Sequence, residues 1–234
     1  MRCICWNSGS RILLVSALLL LVTFAPTRGG AATFFEPSPY LSAADIPAGF
    51  YEGNVPAFLD DLEDGQLNGS LSASPGSVIG TAQFGSLVDS VDADDGTIDG
   101  ASTTGGGGHS WFGSNVITIT FNGAVLPTAF GVVWTDGNSG SAVTFGAKDG
   151  DGNVLGTIMR SGFPDNSISG TTAEDRFFGV QSASGIKSIF ISTGAAIEID
   201  HFQYGAMPVA VPEPATWAFV LAGIGMMGCR SRRS

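Results

Sequence analysis

From residue 77 onward, hydrophobic and polar positions alternate in short runs. Segments such as "NVITITF" (115–121), "AFGVVW" (129–134) and "SAVTFGA" (141–147) place β-branched and aromatic residues at a period of two, broken by glycine and aspartate. That is strand patterning. "NVLGTIM", "RFFGV", "IKSIFIS" and "AIEIDHFQY" continue it to Tyr204, about nine strands spaced by about ten residues with no helical period between them. The pattern predicts an all-β fold, an antiparallel β-sandwich or jelly roll. Residues 77–206 form the sandwich, and 33–76 form the N-terminal part of the mature region with the first strands.

Two apolar segments at the ends depart from this period and predict single helices. At the front, Arg2 and Arg11 precede the apolar run 12–24, and small residues follow to Ala32. This is the three-part grammar of a signal peptide, residues 1–32, with cleavage by signal peptidase after Ala32. An apolar run of about thirteen residues falls short of the roughly 20 that cross a bilayer as a helix.

At the back, residues 211–234 read "VPEPATWAFVLAGIGMMGCRSRRS". The apolar run 215–229 makes a helix of roughly 22 Å against a hydrocarbon core of about 30 Å, which is a poor permanent anchor. Pro212 and Pro214 force an extended, exposed peptide through Val211 and Glu213. Arg230, Arg232 and Arg233 hold the tail on the cytoplasmic side while the domain is translocated. The apolar helix is therefore a transient membrane contact.

Together these parts resemble the tripartite PEP-CTERM sorting signal of bacteria. The resemblance covers the last two dozen residues and is carried by Val211, Pro212, Glu213 and Pro214, by the apolar stretch, and by the arginines. It implies that an exosortase, a membrane-embedded cysteine-dependent enzyme, cuts near the motif. It also implies transit through the inner membrane by the secretion machinery, then residence at the cell surface or in the extracellular matrix. Residues 85–205 are similar to a recurrent, functionally uncharacterised domain of PEP-CTERM proteins, which implies a sandwich and no particular activity.

Composition changes the picture in three ways. Glycine is abundant at 34 of 234 residues, as many tight turns require. All three cysteines, Cys3, Cys5 and Cys229, lie in the terminal signals, so the mature domain is held by its core rather than by disulfides. Six of the ten basic residues also lie in those signals, leaving four against the chain's 21 acidic residues. Such a surface repels phosphate backbones and excludes nucleic acid as a partner; cations or neutral polysaccharide are better company.

Acidic clusters raise the question of calcium. "KDGDGN" (148–153) begins like an EF-hand loop, but Val154 stands where glycine belongs and Arg160 where the bidentate glutamate belongs. A hairpin turn accounts for it. "DSVDADDGTIDG" (89–100) is the stronger case, because Asp89, Asp92, Asp94, Asp95 and Asp99 crowd together without a basic residue and a hard cation would relieve their repulsion. A second candidate for a structural calcium sets Glu63 and Asp64 beside Asp200, since the first and last strands of a jelly roll lie side by side.

Catalytic signatures are missing from the sequence. His109 and His201 stand in no metal-ligand spacing, and there is no Gly-x-Ser-x-Gly elbow, phosphate loop or mature-region cysteine nucleophile. The expectation is a protein that is not an enzyme. A binding module for carbohydrate or exopolysaccharide is the rival reading, with Trp111 and Trp134, joined by Phe112 and Tyr204, as flat faces on which sugars stack.

Overall fold

The computed structural model of the chain describes residues 31–67, 69–91, 108–137, 142–163 and 175–208. The strands are β1 (Thr33–Phe34), β2 (Ser38–Pro39), β3 (Phe58–Asp60), β4 (Leu71–Ser74), β5 (Ser77–Gly80), β6 (His109–Phe121), β7 (Ala129–Gly137), β8 (Val143–Lys148), β9 (Val154–Arg160), β10 (Arg176–Gln181) and β11 (Ser188–Gly205). A four-residue helix, α1 (Thr81–Phe84), follows β5 directly.

Every pairing is antiparallel, and the long strands β6 and β11 belong to two layers at once. The first part of β11, Ser188 to Ser192, lies between β6 and β8. Its later part, from Ile197, lies against β7, with β6 and then β3 on the other side. One layer is therefore β9-β8-β11-β6-β4, and the other is β10-β7-β11 with β5 beside the start of β6. The layers face each other, for Phe145 of β8 and Phe178 of β10 meet at 5.5 Å between ring centroids without being strand neighbours. The antiparallel sandwich predicted from alternation is the fold.

Alternation decides which residues fill it. Ile117, Ile119 and Phe121 of β6, Phe130, Val132 and Trp134 of β7, and Ile189, Ile191, Ile197 and Ile199 of β11 point into one core with Phe145 and Phe178. Each run obeys a period of two, as a pleated strand with one face on the core requires.

The β7–β10 face is buried on its other side as well. Ala129, Val133 and Phe177 contact Tyr40, Phe50, Tyr51 and Val91 in a second core, so the segment 35–51 lies across the outside of the sheet. Gly131 and Gly179 sit opposite each other there, and a β-carbon on Gly179 would come within 2.5 Å of the Phe50 ring and 2.6 Å of the Phe177 ring. The absent side chains let those rings lie on the sheet. Gly179→Ala is expected to cost about 1–3 kcal/mol by overpacking, read as a lowered midpoint in thermal unfolding.

The first strands are integral to this body. β1 and β2 pair with β10, β3 with β11, and β4 with β6, so no boundary separates 33–76 from 77–206. The "KDGDGN" turn joins β8 to β9 as expected: Asp149 Oδ1 accepts from the backbone N–H of Asp151 and Asn153 at 3.0 and 2.9 Å, and Gly152 takes φ 85°.

Candidate functional site

Irregularities in the long strands build the site. Between Ser192 and Ala196 the register of β11 against β6 shifts, so the backbone around Ala195 bows away from the ladder. Between Glu198 and Ile199 the register against β7 shifts as well, which leaves Thr135 as an extra residue and sets Asp136 directly opposite Glu198. A third shift, between Asp200 and Gln203, contains His201 at φ 45°. It restores Phe202 to the core after Ile197 and Ile199.

β5, α1 and the turn Gly85–Leu87 bring Ile79, Phe84 and Leu87 up beside these irregularities. The result is a cleft of about 410 Å³ lined by those three residues, Phe112, Asp136, Gly137 and residues 195–198. Phe84, Leu87 and Phe112 are 51%, 50% and 42% exposed. Apolar side chains gathered at one opening mark a binding surface more often than an idle one.

Glu198 is buried at the floor, and its Oε1 accepts from the Asp89 N–H at 2.9 Å and from the Ser110 hydroxyl. Burial pushes its carboxyl up to about 8, the charges of Asp136 and Asp200 add to this, and the two hydrogen bonds oppose it. Asp200, also buried, accepts the Val91 N–H on Oδ2 at 2.9 Å. The outward-facing acids of β11 thus hold down the chain that follows the cleft wall.

The raised value gives a pH dependence whose sign is fixed. Between about 4.5 and about 8 the folded protein keeps a proton on Glu198 that the unfolded chain has released. Glu198 therefore makes stability fall as pH rises through that window. Thermal unfolding midpoints of Glu198→Gln should decline less over the same window than those of the unchanged protein, because glutamine keeps the acceptor for Ser110 and Asp89 and has no proton to lose.

The structure separates the residues expected at sites from sequence. Glu63 accepts from the N–H of His109 at 2.7 Å and of Gly108 at 3.2 Å, whereas Asp200 serves Val91 and His201. Each carboxylate is turned to backbone donors of its own neighbourhood. Among the described residues no three His, Cys, Asp or Glu side chains are grouped to hold a metal. Asp92, Asp94, Asp95 and Asp99 lie outside the described residues, and so do Val211 to Pro214 and Arg230, Arg232 and Arg233.

The tryptophan platforms are corrected too. Trp111 and Trp134 are only 8% and 5% exposed and belong to the main core, and Trp111 Nε1 donates to the Pro75 carbonyl at 3.0 Å. The next residue along β6, Phe112, faces the opposite way and supplies the exposed ring. Glu198 escaped the sequence reading because alternation in "AIEID" assigns it to a solvated face, and Asp136 did because only the extra residue at Thr135 turns it away from the core face of β7.

Comparison with known proteins addresses the tail directly. Residues 210–233 match the PEP-CTERM protein-sorting motif. The chain thus carries the sorting signal of exported proteins that exosortase processes, and its PEP-CTERM segment begins just beyond the last described strand. Among solved structures, a family 6 carbohydrate-binding module is similar over 64% of this chain and 93% of its own, at 13% identity and a TM-score of 0.33. The C-terminal family 22 carbohydrate binding module of Clostridium thermocellum Xyn10B is similar over 70% and 99%, at 14% identity and a TM-score of 0.27. Among curated proteins none matches.

Proposed function

We propose that this is a non-enzymatic β-sandwich protein that an exosortase releases from its PEP-CTERM segment, and that it then works at the cell surface or in the extracellular matrix. The observation that carries the reading is the union of a Pro-Glu-Pro motif, an apolar run too short for a durable span and three arginines within residues 210–233. A structural part for both histidines supports the non-enzymatic role. His109 pairs with Glu63 at 3.6 Å, and His201 is buried against Tyr40 and Asp200. Fractionation of the producing bacterium tests the reading: the sandwich should be found in surface and medium fractions, and residence in the cytosol would refute it.

A second reading, a polysaccharide-binding module, is favoured by the exposed Phe112 ring at a cleft of small-ligand size. Binding on a glycan array that disappears in Phe112→Ala would support it; an array without any bound glycan would remove it.

A further inference from the structure

We propose that the end of the sandwich from which the chain leaves toward its tail is a lipid-contacting surface. It rests on the headgroups while the apolar run 215–229 is still in the bilayer, and it holds the cleft outward. This goes beyond the exosortase reading and rests on it, since that reading supplies the membrane-held tail.

Topology puts the exit and the cleft at opposite ends. β6 and β11 cross between the layers together at the register break between Ser192 and Ala196, so β11 begins and finishes at the same end. There the Phe121 N–H donates to the Lys187 carbonyl at 2.9 Å, the Ile186 N–H to the Pro127 carbonyl at 2.8 Å and the Thr128 N–H to the Gly205 carbonyl at 3.1 Å. β7 runs from Ala129, paired with Gly205, to Gly137 at the cleft, roughly 26 Å at the usual rise per residue.

The exit itself is fixed to the body. The Glu52 N–H donates to the Ala206 carbonyl at 2.7 Å, and the Met207 N–H donates to Thr128 Oγ1 at 2.9 Å. Only Pro208, Val209 and Ala210 separate Met207 from Val211. Fully extended, the chain from Met207 to Ala215 spans at most about 29 Å. A tail seated in the bilayer therefore keeps this end of the sandwich within reach of the headgroups.

The segments around the exit carry exposed aliphatic side chains. Val125, in the loop before Thr128, is 86% exposed, and Val55, between Glu52 and the β3 strand, is 67% exposed. Val154 is 58% exposed and pairs with Lys148, which pairs in turn with Ser188 at the same end. One exposed valine is ordinary; three around the point where an apolar tail departs form a surface suited to the interface. The chain's two lysines lie here as well: the Lys187 N–H donates to the Lys148 carbonyl at 2.8 Å, and Lys187 Nζ donates to the Phe121 carbonyl at 2.6 Å. Lysines beside apolar residues suit headgroup depth.

Glu52, Asp149 and Asp151 are exposed at this end too, so charge alone does not draw it to an anionic membrane. The covalent tail supplies what is missing, because tethering gives the valines an effective concentration in the millimolar range. A contact too weak to recruit free protein is then occupied while the tail stays in place, and it is lost with the cut.

The test uses tailed protein recovered from the bacterium after deletion of its exosortase, with Cys229→Ser, and seated in vesicles of phosphatidylethanolamine and phosphatidylglycerol. A fluorophore sensitive to water is attached through Val55→Cys, Val125→Cys or, at the cleft end beside Thr144 and Ser192, Met159→Cys. Labels at 55 and 125 should shift to the blue and be quenched by a lipid spin-labelled at headgroup depth, while the label at 159 should do neither. Released protein labelled at 125 should not respond to the same vesicles. Val55→Asp combined with Met159→Cys should leave the tail bound, and Val55→Asp combined with Val125→Cys should lose the quenching at 125. Labels at 125 and 159 that respond alike, or neither responding in protein that floats with the vesicles, would overturn the docking and leave the exosortase reading standing. Released protein that responds as strongly as the tailed form would also overturn it. Tailed protein that does not float with the vesicles would overturn both.

Discussion

Phe178→Ala is expected to lower the unfolding free energy by about 3–5 kcal/mol, the range for a buried phenylalanine whose loss leaves a cavity. The ring is fully buried and meets Phe145 at 5.5 Å and Phe163 at 6.0 Å, so it ties β10 to β8 across the two layers. Domains of ordinary stability have only about 5–15 kcal/mol in all, and the variant should therefore unfold partly at temperatures where the unchanged protein is intact. Chemical denaturation measures it directly. Its neighbour Phe177 faces the other way, against Phe50 at 4.9 Å and Tyr40 at 6.0 Å. Phe177→Ala should cost a similar amount but should also expose the segment 35–51 to proteases, since that ring holds the segment to the sheet.

Replacing Pro212, Glu213 and Pro214 together by alanine is expected to stop release altogether. Three alanines remove the prolines that bar a helix at the motif and lengthen the hydrophobic run toward a true span. The sandwich should fold unchanged but stay in the membrane fraction with its tail attached, visible as a larger species on immunoblots raised against the domain. Release at the usual level from this variant would mean that the motif is not read.

The parts of this protein that were legible in its sequence are those whose physics is local. The tail needs no fold to be understood, because proline geometry, helix length and positive charge act along the chain itself. β6, β8 and β11 announce themselves through alternation, and the β8–β9 turn through its aspartates and glycines. β1 to β3 are two or three residues long and take their register from β10 and β11, so no pattern of their own could reveal them.

The cleft was hidden for a related reason. Alternation places Glu198 and Asp200 on the face of β11 opposite Ile197 and Ile199, and a strand pattern reads that face as water. Only the folded chain covers it, through Val88 to Val91, which are buried over those acids and hydrogen-bonded to them. Trp134 stands at the end of an apolar run beside a turn, where a strand pattern alone does not decide between core and rim. The bulge at Thr135 resolves it by sending Trp134 inward and Asp136 to the cleft.

The most direct test of the account is the intact mass of the protein recovered from the bacterium that makes it. A polypeptide that starts near Thr33 and stops close to Pro214 is the predicted result, with the apolar run and the arginines gone. A mass that extends to Ser234 in the released protein would contradict it.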